Sequence, residues 1–132
     1  MINGELFDSQ HAQAAASERL QMNLDLRNTP EDQSQRMLNA IEPGSVIHVH
    51  RHPDTSETVI IIRGKVVEIY YDDMGKEVVE TIELSPYGPN FAINVPKGKW
   101  HTLKSLESGT VILEVKDGPY EPTKPENVFP RT

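Results

Sequence analysis

From Gly44 to Lys116 the chain consists of short apolar and β-branched runs that are separated by Gly, Pro and Asp. The runs are SVIHVHRH, ETVIIIR, KVVEIYY, EVVETIEL, FAINVP, WHTLKSL and TVILEVK. Short runs with turn residues between them are typical of antiparallel hairpins. The pattern therefore predicts a mostly β chain, folded as a small antiparallel barrel or sandwich.

The segment that precedes these runs has a helical beginning. The stretch FDSQHAQAAASERLQ contains good helix formers and predicts one amphipathic helix over about 8–18, capped by Asp8 or Ser9. The polar connector RNTPEDQSQ follows, and Thr29 could cap a short helical turn there. Periodicity does not decide whether the next stretch, QRMLNAIEP, continues that turn or forms a strand.

The chain beyond Lys116 is rich in proline, with 4 Pro in the last 16 residues, and cannot continue a central strand. We expect this tail to lie along the surface or to reach a neighbouring subunit. A chain of 132 residues suits one compact domain. The expected division is helix and connector over 1–35, β-barrel over 36–116 and tail over 117–132.

Composition excludes several functions. The chain has no Cys, so neither a disulfide framework nor a thiolate metal site is available. The net charge of −7 disfavours a role with nucleic acid or an anionic membrane, because phosphate groups would be repelled on average. We see no export signal and no membrane span, and we therefore expect a soluble cytoplasmic protein.

Three of the 5 histidines stand at alternate positions in the stretch HVHRH, as His48, His50 and His52. Residues two apart in a strand point to the same face, so their imidazoles should form a column. A hairpin turn would return Glu57 beside this column, and His101 begins another strand. Three imidazoles and a carboxylate form a suitable site for one divalent first-row metal, with coordination positions left for water or substrate.

The same residues resemble the cupins, whose first motif reads G-x5-H-x-H-x4-E-x6-G. This chain matches every spacing of that motif, with Gly44, His50, His52, Glu57 and Gly64. The second cupin motif, G-x5-P-x-G-x2-H-x3-N, is matched by three residues and departs at two. The matching residues are Pro96, Gly98 and His101, while Asn90 and Ser105 stand at the Gly and Asn positions.

The cupin resemblance implies a metal held by His50, His52, Glu57 and His101 in a β-barrel whose open mouth admits a ligand. Those residue types suit Zn, Fe, Mn, Ni or Co, and do not distinguish among them.

A resemblance over nearly the whole chain is to the WbuC-type cupin-fold metalloproteins. It rests on the DDMG hairpin and on three longer stretches, SERLQMNLDL, QSQRMLNAIEPGSVIHVHRHP and GKWHTLKSLESGTVILEVKDGPYEP. This resemblance implies that QRMLNAIEP is a barrel strand. The resemblance to cupins, which commonly pair through their sheets, implies a homodimer. Some members of the WbuC-type family are encoded near surface-polysaccharide genes, and this family has no established reaction.

Other residues are candidates for contact with a substrate. His48 could move protons, contact substrate or be an ordinary polar residue. Arg63 could face the interior and bind an anion, and Tyr71 could line a pocket, as could the other aromatic residues Tyr70, Phe91 and Trp100. The polar residues Arg19, Asn23, Gln35 and Arg36 could hold a phosphate or carboxylate, or could fix the N-terminal segment to the barrel.

Two functions remain open at this point. One is an enzyme in which the metal acts on a sugar or sugar nucleotide, by isomerisation, epimerisation or oxygenation, with His48 as a candidate proton-transfer group. The other is a non-catalytic domain that binds or senses a small molecule or carbohydrate through its metal. A purely structural oligomer is disfavoured because the ligand set is intact.

Overall fold

The computed structural model describes residues 1–129. In that range one α-helix precedes eight β-strands and a short 3-10 helix. The elements are α1 (Gly4–Ala16), β1 (Gln21–Asp25), β2 (Ser34–Ile41), β3 (Glu57–Arg63), β4 (Val66–Tyr71), β5 (Val78–Leu84), β6 (Ala92–Val95), β7 (His101–Ser105), β8 (Thr110–Asp117) and the 3-10 helix (Pro125–Asn127). The mostly β prediction is confirmed.

The strands form two antiparallel sheets. The larger sheet has the order β1-β2-β8-β3-β6, and the smaller has the order β5-β4-β7. Apolar side chains from the inner faces of both sheets pack together as the main core. Its buried members are Ile41, Val59, Ile61, Val66, Leu84, Leu103 and Ile112. Burial of these aliphatic side chains is the principal force that holds one sheet against the other.

The N-terminal helix begins earlier than the sequence predicts. Asn3 is its cap, and its side-chain Oδ1 accepts a hydrogen bond from the backbone N–H of Leu6 at 3.0 Å. The predicted caps Asp8 and Ser9 therefore lie inside the helix. The prediction is wrong at this boundary because Asn and Asp cap a helix equally well, and an Asn stood further upstream.

Helix α1 packs on the outer face of the larger sheet. Phe7 and Ala14 are buried there, in a second core with residues of β2 and β8. The buried side chain of Gln10 donates hydrogen bonds to the backbone carbonyls of Met22 at 2.7 Å and Leu38 at 2.8 Å. The helix thus covers one face of β1 and β2 and leaves their other face directed to the interior.

The stretch QRMLNAIEP belongs to strand β2, as the WbuC resemblance implies. Strand β1 was missed, because QMNLD is short and has only Met22 and Leu24 as apolar residues. Its register pairs Asn23 with Asn39 of β2. The segment around Thr29 makes a single turn, closed by the Asp32 N–H to the Thr29 carbonyl at 3.1 Å, and no helix.

The predicted strand SVIHVHRH is largely irregular. Only His50 in this segment is bridged, on one side to His101 and on the other to Val128. The latter contact agrees with the expectation that the tail lies along the surface, because the described part of the tail returns to its own chain. The Phe129 N–H donates to the Val49 carbonyl at 2.8 Å, which fixes the tail beside the histidine segment.

Two glycines are required by the backbone conformation. Gly75, in the predicted DDMG hairpin between β4 and β5, has φ +71°. Gly64, the last residue of the first cupin motif, has φ +84° and lies against Thr110, whose Cα would be 2.7 Å from an added Cβ. The motif glycine therefore permits close contact between the β3–β4 turn and β8.

Candidate metal centre

Three histidines converge at one end of the space between the sheets. One ring nitrogen from each of His50, His52 and His101 lies within 4.8 Å of the others. His50 and His52 come from the irregular segment before β3, and His101 is the first residue of β7. The antiparallel bridge between His50 and His101 brings the two cupin motifs together across the site.

Backbone carbonyls orient two of these rings in the same way. His50 Nδ1 lies 2.8 Å from the carbonyl oxygen of His48, and His101 Nδ1 lies 2.8 Å from that of Lys99. A carbonyl oxygen can only accept, so each Nδ1 must carry the proton. The Nε2 atom then has a free lone pair, which is the state of a histidine that binds a metal.

Glu57, the first residue of β3, contributes a carboxyl group to the same place. Its Oε2 lies 3.6 Å from His52 Nε2, and its Oε1 lies 3.9 Å from His101 Nε2. Ligand atoms on one first-row metal with bonds of about 2.1 Å are roughly 3 to 4 Å apart. The spacing of these groups therefore fits a shared metal.

Burial controls the protonation of the site. It lowers the pKa of His50, and lowers that of His52 to about 3 and that of His101 to about 4, with nearby positive groups adding to the effect on His52. Burial, with the neighbouring Glu114 carboxyl, raises the pKa of Glu57 to about 8. Near neutral pH the close contacts between Glu57 and the rings are therefore not ion pairs, because the imidazoles are neutral and able to coordinate.

Two of the converging atoms lack a hydrogen-bond partner. His52 Nε2 and His101 Nε2 are buried and unpaired among the described residues. An unpaired buried polar atom costs about 1 to 3 kcal/mol, and coordination to a metal would satisfy both atoms together. The chemistry and spacing of the site thus fit a metal ion.

The cluster opens into a cavity of about 360 Å³. The larger sheet supplies most of its wall. Four residues that the sequence singled out, Arg19, Asn23, Gln35 and Arg36, line the cavity together with His48 and Lys116. Lys116 Nζ is 3.4 Å from His52 Nδ1. His48 is exposed and lines the cavity, while His50 and His52 are partly buried. The cluster joins His101 to His50 and His52 and does not include His48.

Arg63 and Tyr71 do not line the cavity, contrary to expectation. The Arg63 guanidinium bonds Asp8 of α1 at 2.8 Å and the Gly109 carbonyl at 3.1 Å, and lies over the Phe7 ring. It therefore fixes the helix to the sheet. Strand parity misled the prediction because a bulge shifts the register between Ile61 and Arg63.

The four aromatic residues that the sequence singled out, Tyr70, Tyr71, Phe91 and Trp100, also lie outside the cavity wall, which includes Tyr120 instead. Tyr71 ends β4, where its N–H donates to the Trp100 carbonyl at 3.0 Å. Tyr70 and Trp100 are buried, and Phe91 is exposed. Arg51, which lies between two histidines in sequence, is placed over the Trp100 ring at 4.6 Å and donates to Asn127 Oδ1 at 2.9 Å. These contacts are structural.

One carboxyl group in the interior was not predicted from the sequence. Glu68, in the middle of β4, is fully buried, and neither of its oxygens has a hydrogen-bond partner among the described residues. Burial, with Glu57 and Glu114 nearby, raises its pKa to about 9. The signal was present, because Glu68 interrupts the apolar run VVEIYY, but a single Glu in a strand is usually read as solvent-facing.

Comparisons with known proteins agree with this fold. A family model described as a domain of unknown function (DUF6016) matches residues 2–84, and the chain belongs to that family. No curated protein matches the sequence. Within the described residues, no helix is long and apolar enough to cross a membrane.

Several solved structures share the architecture. The capsular polysaccharide assembling protein CapF from Staphylococcus aureus has a TM-score of 0.63 at 21% identity, over 86% of this chain and 32% of CapF. A cupin 2 domain-containing protein from Halorhodospira halophila has a TM-score of 0.61 at 16% identity, over 79% of this chain and 68% of its own. A sugar phosphate isomerase of the cupin superfamily from Silicibacter pomeroyi has a TM-score of 0.57 at 20% identity, over 74% of this chain and 59% of its own.

These likenesses show that the chain has the cupin jelly-roll fold. The chain spans only about a third of CapF, and all three identities are low. The fold and the histidine cluster together suggest a metal site in this cupin-fold member of the DUF6016 family.

Proposed function

We propose that this protein is a metal-binding cupin that holds one divalent first-row transition metal with His50, His52, Glu57 and His101. The observation that carries the proposal is the convergence of three imidazoles, two of them held by backbone carbonyls with Nε2 free to coordinate. The carboxyl group of Glu57 is within 4 Å of the Nε2 atoms of His52 and His101. Zn, Fe, Mn, Ni and Co all accept this ligand set.

Such a metal would act as a Lewis acid toward an oxygen atom of a bound molecule. The chain itself would supply binding and orientation through the cavity wall, and exclude water at the buried end. His48 is at the cavity mouth and has a titratable ring that could take up or release a proton there. On this reading the protein is an enzyme that acts on a sugar or sugar nucleotide by isomerisation, epimerisation or oxygenation.

The polysaccharide connection is supported by resemblance alone. The WbuC resemblance includes members encoded near surface-polysaccharide genes, and one structure of similar fold is named as a capsular polysaccharide assembling protein. We therefore propose that the protein is of the WbuC type, serves surface-polysaccharide metabolism in the cytoplasm, and forms a homodimer. Light scattering of the purified protein would give its molar mass and test the dimer.

The alternative is a non-catalytic domain that binds a small molecule or carbohydrate through its metal. The observation that favours it is the exposure of His48, the candidate proton-transfer group, whose side chain makes no hydrogen bond with a described residue. Catalysis predicts that His48→Ala abolishes turnover but keeps binding, whereas a binding domain has no turnover to lose.

The first experiment is elemental analysis of the purified protein, per chain, beside two variants. We expect about one first-row metal per chain in the wild type and none in the double variant His50→Ala, His101→Ala. His48→Ala is the matched control, because only the backbone carbonyl of that residue supports the cluster. Wild-type protein that stays free of metal after reconstitution would refute the proposal.

A further inference from the structure

A row of carboxamide side chains forms one wall of the cavity. Gln21 and Asn23 lie on β1, and Asn39 lies on β2 directly opposite Asn23. All three line the same cavity as the histidine cluster. We call these three residues the amide wall. Helix α1 covers the opposite face of these strands, so the wall is directed to the interior.

The amide wall has unused hydrogen-bonding capacity. Gln21 Nε2 and Asn39 Oδ1 are buried and have no partner among the described residues. Asn39 is only 5% exposed, and its Nδ2 donates to Glu114 Oε1 at 3.3 Å. Buried polar atoms are nearly always paired in folded proteins, so a free donor beside a free acceptor indicates a ligand that supplies both.

The chemistry of that ligand follows from the amide group. A carboxamide has two N–H donors and an acceptor oxygen, and a hydroxyl group both donates and accepts. A row of carboxamides on neighbouring strands is therefore complementary to a molecule with several hydroxyl groups. It is a poor match for an apolar ligand, which would leave the same atoms unpaired.

Four cationic side chains line the cavity beside three carboxyl groups, although the chain as a whole carries −7. The cations are Arg19, Arg27, Arg36 and Lys116, and the carboxyl groups are those of Asp25, Glu57 and Glu114. The guanidinium of Arg27 is held by Asp25, and that of Arg36 by Asp32. Arg19 is exposed at the wall, and its guanidinium makes no ion pair or hydrogen bond with a described residue.

Lys116 is the second cation without a carboxylate partner in ion-pair contact. Its only hydrogen-bonding neighbour among the described residues is His52 Nδ1. Coordination of a metal by His52 Nε2 leaves the ring proton on Nδ1, which cannot accept a hydrogen bond from an ammonium group. Metal binding would therefore release Lys116 to bind an anion.

We infer that the cavity binds a polyhydroxylated anion, a sugar acid or a sugar phosphate, whose hydroxyl groups bond the amide wall and whose acidic group meets Arg19 and Lys116. The inference rests on the proposed function for the metal at the buried end of the cavity. It deepens that function by assigning the substrate class to particular residues.

Calorimetric titration of the zinc-loaded protein tests this inference. The probes are glucuronate and glucose 6-phosphate, with glucose, acetate and inorganic phosphate as references. We expect one of the two sugar anions to bind with a Kd of about 1 mM or tighter, at least roughly tenfold tighter than every reference. The comparison between glucuronate and glucose 6-phosphate decides whether the acidic group is a carboxylate or a phosphate.

Three variants assign the binding to the wall. Gln21→Met and Asn39→Leu keep the side-chain size and remove the amide, and each should weaken binding roughly threefold to tenfold. Asn94→Leu is the matched control, because Asn94 is an exposed strand Asn of the same sheet outside the cavity. Gln21 is only half-buried, so Gln21→Met tests the wall even if Asn39→Leu does not fold.

Any one of three results would overturn the inference. Neither sugar anion binds, acetate or phosphate binds as tightly as the sugar anions, or the affinity is unchanged in Gln21→Met. Metal content, measured on the same samples, separates this failure from failure of the proposed function. A protein that holds metal but binds neither sugar anion refutes the inference and leaves the proposed metal site intact. A protein that takes up no metal but binds a sugar anion through the wall refutes the metal and supports the wall.

Discussion

The buried carboxyl group of Glu68 should make the stability of this protein fall as pH rises. The side chain is fully buried in β4, and burial raises its pKa to about 9 from an ordinary value of 4.5. Between these two values the folded state keeps a proton that the unfolded state has lost. The stabilising contribution is complete below about pH 4.5 and is lost as pH rises toward 9.

The size of the effect follows from the pKa difference. One proton of difference changes the free energy of unfolding by about 1.4 kcal/mol per pH unit. Between pH 5.5 and 7.5 this amounts to about 3 kcal/mol, a large fraction of the stability of a small domain. Glu57 and Glu114, whose pKa values are also raised by burial, add slopes of the same sign.

The variant Glu68→Gln isolates the contribution of one carboxyl group. We expect its free energy of unfolding to depend less on pH than that of the wild type, by about 1 kcal/mol per pH unit. Urea unfolding, followed by the fluorescence of the single Trp100 in the presence of a chelator, measures both slopes. Glu83→Gln is the control, since Glu83 is an exposed Glu on the neighbouring strand β5.

Equal slopes in the wild type and Glu68→Gln would refute the reasoning. That result would mean that Glu68 is ionised in the folded protein, and that a cation or water molecules reach its carboxylate. A steeper slope in Glu68→Gln would contradict the sign of the pKa shift itself.

Three further predictions concern the turn, the metal and the helix. Gly64→Ala should lower the free energy of unfolding by about 2 kcal/mol or more, and lower Tm, because Gly64 has positive φ and contacts Thr110. Gly98→Ala should lower it less, because Gly98 also has positive φ but has open space around it. Zinc binding at pH 6 should release about one proton from Glu57, because the pKa of Glu57 lies above this pH and those of His52 and His101 lie below it. Calorimetry in buffers of different ionisation enthalpy measures the number of protons released. The variant Glu57→Gln should abolish the proton release. Gln10→Met should lower the free energy of unfolding by about 1 to 3 kcal/mol, since one backbone carbonyl of β1 and one of β2 lose their hydrogen-bond donor. Unchanged stability in urea unfolding would show that water replaces the Gln10 side chain as the donor.

Much of the fold could be predicted because it follows from local patterns. The spacing of the short apolar runs predicted the strands β3 to β8, although only β4 and β5 among them form a hairpin of consecutive strands, and the DDMG turn was placed correctly at Gly75. The helix cap and the edge strand were harder to predict from the sequence. Asn3 was overlooked as the helix cap, and β1 was missed because an edge strand needs few apolar residues when a helix covers it.

The candidate ligands were also visible in the sequence. The spacing of His50, His52, Glu57 and His101 is a local property of two motifs, and the structure brings the three imidazoles together with the carboxyl nearby. The prediction that the histidines lie on a regular strand is wrong in part, since the segment SVIHVHRH is mostly irregular. Its conformation is held by bridges to β7 and to the tail, which come from distant parts of the chain.

What the sequence by itself determined was the identity of most elements and of the candidate metal ligands, because the elements and each of the two histidine motifs depend on residues close together in the chain. The surroundings of the cluster depended on tertiary structure. Only the packing of α1 directed the amide wall inward, only the bulge at Arg63 turned that side chain to the helix, and only the facing of the two sheets buried Glu68. Each of these results from contacts between segments far apart in sequence, whose energies no local pattern encodes.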